Sequence, residues 1–197
     1  ARIKGSQNGK AVLLLSHYDS APHSYSLGAN DDGVGIVTIL ESVRAFLHNQ
    51  TTHTNDIIIL FTDAEELGLN GAALFVTEHA WAKDVGVVVN LEARGSSGPS
   101  YMLMEATHGN RELLKSFVAS EAQFPASNSL MYSIYKLLPN DTDLTIFREN
   151  GKIQGFNLAF IDNHFNYHTS QDNLQSVELN TLQHQGSYVT AMLQYFS

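Results

Sequence analysis

Ala11-Val12-Leu13-Leu14-Leu15-Ser16-His17-Tyr18-Asp19 is an apolar run followed at once by an imidazole and a carboxylate. The pattern recurs along the chain. Ile57-Ile58-Ile59-Leu60-Phe61 runs into Thr62-Asp63-Ala64-Glu65-Glu66, and Val87-Val88-Val89-Asn90-Leu91 runs into Glu92. Leu158-Ala159-Phe160-Ile161 leads to Tyr167-His168-Thr169. A short continuous apolar run reads as a strand buried on both faces, as in the middle of a helix-covered sheet. In an open α/β sheet the carboxyl ends of the strands form the crevice where ligands bind. If the runs are neighbouring strands, the polar residues that follow them meet at one rim.

Helical spacing fills the gaps. From Gly33 to about Asn49, Val34, Val37, Leu40, Val43 and Leu47 stand near a helical period. Asp31 or Asp32 stands where a cap is expected. Further helices are predicted over 70–80, 110–121, 143–150 and 178–196, with strands over 56–61, 85–91, 101–104 and 156–161. Gly95-Ser96-Ser97-Gly98-Pro99 is a turn. Residues 122–142 are polar and weakly patterned, and read as a loop region over the cleft, helical at most in part. The alternation predicts an α/β fold: a three-layer α/β/α sandwich around a central mixed, mostly parallel twisted sheet. Residues 1–197 read as a single domain. Ala1-Arg2-Ile3-Lys4-Gly5 reads as a short strand already under way, and the chain as an N-terminally trimmed fragment of a longer protein.

Bulk properties exclude several classes. The formal net charge is −9, and Lys and Arg are scattered, so the basic face a nucleic-acid binder needs is missing. The chain has no cysteine, which removes disulfides, thiolate metal sites and cysteine nucleophiles together. No stretch is long and apolar enough to cross a membrane. Asn49-Gln50-Thr51 and Asn140-Asp141-Thr142 match the glycosylation pattern, one that is frequent by chance.

His17, Asp31, Glu66, Glu92 and His168 form an imidazole and carboxylate set of the kind zinc takes. Each has a plainer reading. His17 and Asp19 make an ordinary turn pair; Asp31 or Asp32 is a helix cap; Glu65-Glu66 is a solvated acidic loop; Glu92 pairs with Arg94; His168 is a loop histidine, as His164 is. The chemical reading treats them together. Asp19, two residues from His17, can accept from its second ring nitrogen and fix the tautomer. Adjacent glutamates in a turn point in different directions, so one of Glu65 and Glu66 can bind metal while the other handles a proton. A carboxylate has two oxygens, so one aspartate can bridge two cations. Which terminal ligands share a metal stays open at this level. His23, His48, His53, His79, His108 and His184 read as surface residues.

In this order the ligands resemble those of the zinc-dependent exopeptidases with two co-catalytic metals, the group of bacterial leucyl aminopeptidases, aminopeptidase Y and glutamate carboxypeptidase. The matching motifs are His17-Tyr18-Asp19-Ser20, Gly28-Ala29-Asn30-Asp31-Asp32-Gly33-Val34-Gly35, Asp63-Ala64-Glu65-Glu66-Leu67-Gly68, Asn90-Leu91-Glu92 and Tyr167-His168-Thr169. The stretch from Asn90 to Pro99 looks most like the membrane-anchored endoplasmic-reticulum metallopeptidase and vacuolar membrane protease branch. The resemblance implies a phosphorylase/hydrolase-like zinc-peptidase fold, two Zn2+ per chain and no other cofactor. It pairs His17 and Glu92 with Asp31 on one zinc, and Glu66 and His168 with Asp31 on the other. It makes Glu65 the general base and Asp19 the partner of His17. It implies a cis peptide between Asp31 and Asp32. Tyr167, beside His168, is a candidate for stabilising the oxyanion. Two departures stand out: Glu92 replaces an Asp found in many members, and Thr142-Asp143-Leu144-Thr145-Ile146-Phe147 matches a substrate-side Ser-Asp-x-x-x-Phe motif only in part. The implied activity is release of N-terminal residues from a peptide substrate. The implied setting is extracytoplasmic (secreted, periplasmic or organelle-lumenal), with a membrane anchor outside this stretch. Alternatives are a glutaminyl cyclase-like acyltransferase, a carboxypeptidase or dipeptidase with Arg94 or Arg148 gripping a substrate carboxylate, and a non-catalytic ectodomain.

Overall fold

The computed structural model describes residues 1–49, 52–137 and 141–197. Gln50 and Thr51 of one glycosylation pattern, and Asn140 of the other, lie outside the described residues. The strands are β1 (Arg2–Ile3), β2 (Ala11–His17), β3 (Ile57–Thr62), β4 (Val85–Ala93), β5 (Tyr101–Glu105) and β6 (Gly155–Phe160). The helices are α1 (Gly33–Asn49), α2 (Asn70–Glu78), α3 (Arg111–Ala119), α4 (Ser129–Leu137), α5 (Asp143–Glu149) and α6 (Leu179–Phe196). The strands form one sheet in the order β1-β3-β2-β4-β6-β5. β3, β2, β4 and β6 run parallel, while β1 and β5 close the two edges antiparallel.

Side-chain alternation builds the layers. Val12 and Leu14 of β2 pack with Val89 and Leu91 of β4 against α1 and α6, through Ile39, Phe46, Tyr188 and Met192. Leu13 and Leu15 point the other way, onto α2 and α5 through Phe75, Leu144 and Phe147. Every residue of β2 is buried, as its unbroken apolar run predicts. β3 departs from that expectation: Ile57 and Ile58 are buried, but Ile59, Leu60 and Phe61 are only partly so. Its outer neighbour β1 is two residues long and pairs with Ile57 and Ile58 alone, so the rest of the strand lies near an edge.

One other expectation is corrected, and the partly helical reading of 122–142 is made specific. The buried stripe of α1 is Val34, Thr38, Ile39, Ser42, Val43 and Phe46, whereas Val37, Leu40 and Leu47 are exposed. Thr38 and Ser42 disguise the inner face in the sequence. They keep it narrow where α1 lies against α6, with the Thr38 methyl 3.9 Å from the Cβ position of Gly186. Within the supposed loop, Ser129–Leu137 forms α4, an amphipathic helix with no fully buried residue.

Asp56 fastens β1 to the sheet. It pairs with Arg2 at 2.5 Å and Lys4 at 3.0 Å, and accepts the Gly5 N–H at 2.8 Å. Burial works against its charge, but the Gly5 N–H, Lys4 and Arg2 outweigh it and hold the carboxyl down at about 2. A depressed carboxyl contributes stability that is complete above its unfolded pKa of about 4 and is lost as pH falls through the folded value. Asp56→Asn is therefore expected to cost about 1–3 kcal/mol at pH 7. In urea unfolding, the gap from the unsubstituted protein should close between about pH 4 and about pH 2.

Candidate metal centre

Parallel pairing puts the carboxyl ends of β2, β3, β4 and β6 on one rim, and the polar residues after each run gather there. Asp31 enters this rim on the turn before α1. It is buried, and its two oxygens face different histidines: Oδ1 lies 3.3 Å from His17 Nε2, and Oδ2 lies 3.2 Å from His168 Nε2. The Asp31–Asp32 peptide is cis. Asp32 is the residue that caps α1. It accepts the Gly35 N–H and the Ser16 hydroxyl, and a Cβ at position 35 would collide with its carboxylate. The two neighbouring aspartates, interchangeable on the page, thus divide the work.

The turn is held from across the site. Asp172 accepts the Asn30 N–H at 2.7 Å, the Asn30 side-chain amide at 2.9 Å and the Asp31 N–H at 3.2 Å. Asp172 lies four residues after His168, so one loop supplies both the second histidine and the clamp on Asp31. Reading the sequence for ligands missed this role; the only signal was one more acidic residue in a histidine-bearing loop.

Glu65 and Glu66 follow β3 on a turn whose preceding residue, Ala64, adopts a left-handed conformation (φ 58). Their N–H groups donate to the two oxygens of Asp19, at 3.1 and 3.2 Å. Asp19 was expected to hold the second nitrogen of His17. That nitrogen lies 3.0 Å from the Asp19 carbonyl oxygen and 3.5 Å from its carboxylate. The main chain of Asp19 thus makes the shorter contact with the ring, while its carboxylate also anchors the glutamate turn. Glu66 Oε1 lies 2.7 Å from His168 Nε2, yet neither atom makes a hydrogen bond. Two ligand-type atoms that close, with Asp31 Oδ2 beside them, can turn to a common third point. His168 is itself left-handed (φ 54), an uncommon state for a residue with a Cβ. Its ring stacks on Tyr167 at 3.7 Å.

His17, Asp31 and Glu92 form one group able to hold a metal ion, and Asp31, Glu66 and His168 a second. Within each group the ligand atoms lie within 4.8 Å of one another. Asp31, Glu65, Glu66, Glu92, Arg94 and Tyr167 line the cleft above them. Burial, with Glu92 next, pushes the Glu65 carboxyl up to about 9. Burial also drives Glu92 well above the usual carboxylate range. Burial opposes charge on Asp31, but His168 and His17 prevail and hold it low. Desolvation opposes charge on His168, but Asp31 and Glu66 raise its ring to about 9. Carboxylates crowded this tightly repel one another, and dications relieve that repulsion directly. The unpartnered atoms, the donor types and the shared aspartate all fit zinc.

Several plainer readings can now be sorted. Glu92 does not pair with Arg94. The Arg94 guanidinium sits over the Tyr167 ring at 5.3 Å and has no ion-pair partner among the described residues. Arg148 is a structural pair, 3.0 Å from Glu105 and 2.7 Å from Glu149. Asp143, in the partial substrate-side motif, is buried and accepts the Thr62 hydroxyl, and Phe147 is core. His184 is half-buried and bonded at both ring nitrogens, one meeting the Ser100 N–H at 3.0 Å and the other the Phe124 carbonyl at 3.0 Å. His53 is half-buried, edge-on to Phe46.

With the site laid out, its relatives can be compared. A putative endoplasmic reticulum metallopeptidase 1-A of Caenorhabditis elegans is 33% identical over 192 residues, which cover 96% of this chain and 21% of that protein. A vacuolar membrane protease of Candida albicans is 36% identical over 186 residues, or 93% of this chain and 21% of that protein. The chain therefore spans about one fifth of these relatives. A solved zinc aminopeptidase from Bacillus subtilis superposes with a TM-score of 0.76 at 27% identity, covering 97% of this chain and 47% of that one. The family model described as peptidase family M28 matches residues 1–193, and the chain belongs to that family.

Proposed function

We propose that this chain is the catalytic domain of a zinc-dependent exopeptidase that releases N-terminal residues from peptides. The observation that carries the reading is Asp31, a buried carboxylate with one histidine against each oxygen and a carboxylate-bearing partner beside each histidine. That arrangement supports two Zn2+ bridged by Asp31, one with His17 and Glu92, the other with Glu66 and His168. The similarity to a Bacillus subtilis zinc aminopeptidase supports zinc and the aminopeptidase reading. Relatives named for the endoplasmic reticulum and the vacuolar membrane support an extracytoplasmic setting with an anchor elsewhere in the protein. Among the described residues no helix is long and apolar enough to cross a membrane.

When bound, zinc polarises the scissile carbonyl and lowers the pKa of water to near neutrality. The chain's own groups do the rest. Glu65 lines the cleft next to the proposed ligands and makes no ion pair among the described residues, so it accepts the water proton and returns it to the leaving amine. Asp19 holds the Glu65 and Glu66 N–H groups, which keeps the base and its neighbouring ligand apart. Tyr167 is held between His168 and Arg94 at the cleft wall, placed to donate to developing oxyanion charge.

One observation favours a second reading. Arg94 lines the cleft without an ion-pair partner among the described residues, so a substrate carboxylate can dock there, as in a dipeptidase or carboxypeptidase.

Three outcomes test these readings. Glu65→Gln should lower kcat by about 10²- to 10⁴-fold. Elemental analysis of that variant should find its zinc content unchanged; loss of metal together with activity would make Glu65 a ligand instead. Chelation should abolish hydrolysis of aminoacyl substrates, and titration back with Zn2+ should restore it at two ions per chain; saturation at one ion would sink the bridged arrangement. Arg94→Met should raise KM for dipeptides more than for aminoacyl amides if the second reading holds, and equally for both if it does not.

A further inference from the structure

A buried polar relay runs from the Glu92 carboxylate to the surface and passes through the wall of an apolar pocket. Asn90 on β4 and Asn157 on β6 are direct partners in the parallel register, and both are fully buried. Asn90 Nδ2 donates to Glu92 Oε1 at 3.2 Å and to Asn157 Oδ1 at 2.9 Å. Asn157 Nδ2 donates to the Tyr135 hydroxyl at 3.3 Å. That hydroxyl donates to Glu105 Oε1 at 2.5 Å, and Glu105 Oε2 meets Arg148 at 3.0 Å.

The direction of this relay is fixed by its ends. When ionised, as a bound cation would hold Glu92, both ends accept only, so one member must donate both ways; an amide NH2 can do so, and Asn90 does. Tyr135 has one proton and spends it on Glu105, so it must receive from Asn157. Asn157 is thereby locked with its carbonyl toward Asn90. Without the hydroxyl, Asn157 is held in that orientation by the Asn90 amide alone. A flipped Asn157 would set NH2 against NH2, and Asn90 could relieve the clash only by turning its own carbonyl toward Glu92.

Tyr135 has a second neighbour. With Tyr101, Leu103, Met131, Ile134, Phe160 and Ile161 it lines an apolar pocket whose wall also includes Glu92 and Arg94. Met131, Ile134 and Tyr135 come from α4, which has no fully buried residue to anchor it. The Tyr135 hydroxyl is its polar tie to the sheet.

We propose that Tyr135 is a positioning residue: its hydroxyl orients the Glu92 carboxylate through Asn157 and Asn90, and the same bond holds the α4 wall of the pocket in place. The proposal rests on the metal-centre reading above. A group bonded directly to a metal ligand, as Asn90 is to Glu92, is worth about 10- to 100-fold in metal affinity, and Tyr135 acts through it at the lower end of that range.

The experiment measures zinc affinity by chelator competition, together with kcat and KM, for the purified protein and three variants. Tyr135→Phe keeps the ring and removes only the hydroxyl. It should weaken zinc binding about 10-fold, lower kcat and raise KM for bulky apolar N-terminal residues, while the metal-free protein still unfolds in one cooperative transition. Glu105→Ala reads the relay from its far end and should shift zinc affinity in the same direction. Ile134→Ala opens the pocket without touching the relay, and should raise KM for bulky apolar N-terminal residues with zinc affinity unchanged. If Tyr135→Phe and Glu105→Ala fold and bind zinc as tightly as the original, the proposal is overturned while the metal centre stands. If the unsubstituted protein binds no zinc, the metal-centre reading falls and takes the relay's role with it.

Discussion

Asp31 is a carboxylate out of water with an imidazole against each of its oxygens, and the surrounding structure is arranged to keep it so. Burial alone would neutralise it; His168 and His17 keep it ionised. The turn that carries it cannot drift, because Asp172 takes both the Asn30 and the Asp31 N–H groups. Asp32, its neighbour, is turned away to cap α1, in contact with Ser16 at the end of β2. Three segments far apart in sequence thus converge on one side chain, and the turn that carries it is held by its own backbone N–H groups and against the end of a strand. That is how a site gains precision from rigid elements.

A division of labour among acidic residues follows. Asp19, Asp32 and Asp172 spend their oxygens on main-chain N–H groups. Asp31, Glu66 and Glu92 direct oxygen atoms at histidines or at one another across the cleft. Glu65 shares the cleft without joining either group. The left-handed Ala64 and the two N–H bonds to Asp19 let consecutive glutamates diverge, which is the local requirement for one to act on protons while its neighbour holds a cation.

The sheet was legible because its signal is one-dimensional. An apolar run ending in a ligand-type residue says both that a strand is buried and where its carboxyl end lies. β2, β4 and β6 needed nothing more. What escaped depends on neighbours that no run of residues encodes. β3 reads as central, yet it sits one place from the edge, and the two-residue strand beside it pairs with only its first two residues. The inner face of α1 hides behind Thr38 and Ser42, which are polar by type and buried by position. The resemblance put Asp31 among the ligands, but whether Asp31 or Asp32 caps α1 stayed open, because the two roles differ by one residue of rotation. Asn90 was quoted as part of a strand, and its role emerged only when the register set it opposite Asn157.

The electrostatics also constrain how folding and metal occupancy relate. Glu65 is pushed up by burial and then by Glu92, and Glu92 by burial and then by Asp32 and Asp31, while His17 and His168 are pushed up by the carboxylates they face. Without cations the cluster can be neutral overall only by sharing protons, with acids protonated that would otherwise ionise. A dication that binds the folded arrangement and not the unfolded chain displaces those protons and adds its binding free energy to stability. The parts of the rim fixed by main-chain bonds, the Asp31 turn and the Glu65-Glu66 turn, need no cation to hold their shape. His168, partly exposed and in a left-handed conformation, has the least to hold it. Its ring is fixed by Tyr167 on one face and by the two carboxylates at its edge. The group containing His168 and Glu66 is therefore the one whose order depends most on a bound cation, and the group built on His17 at the end of a fully buried strand depends least.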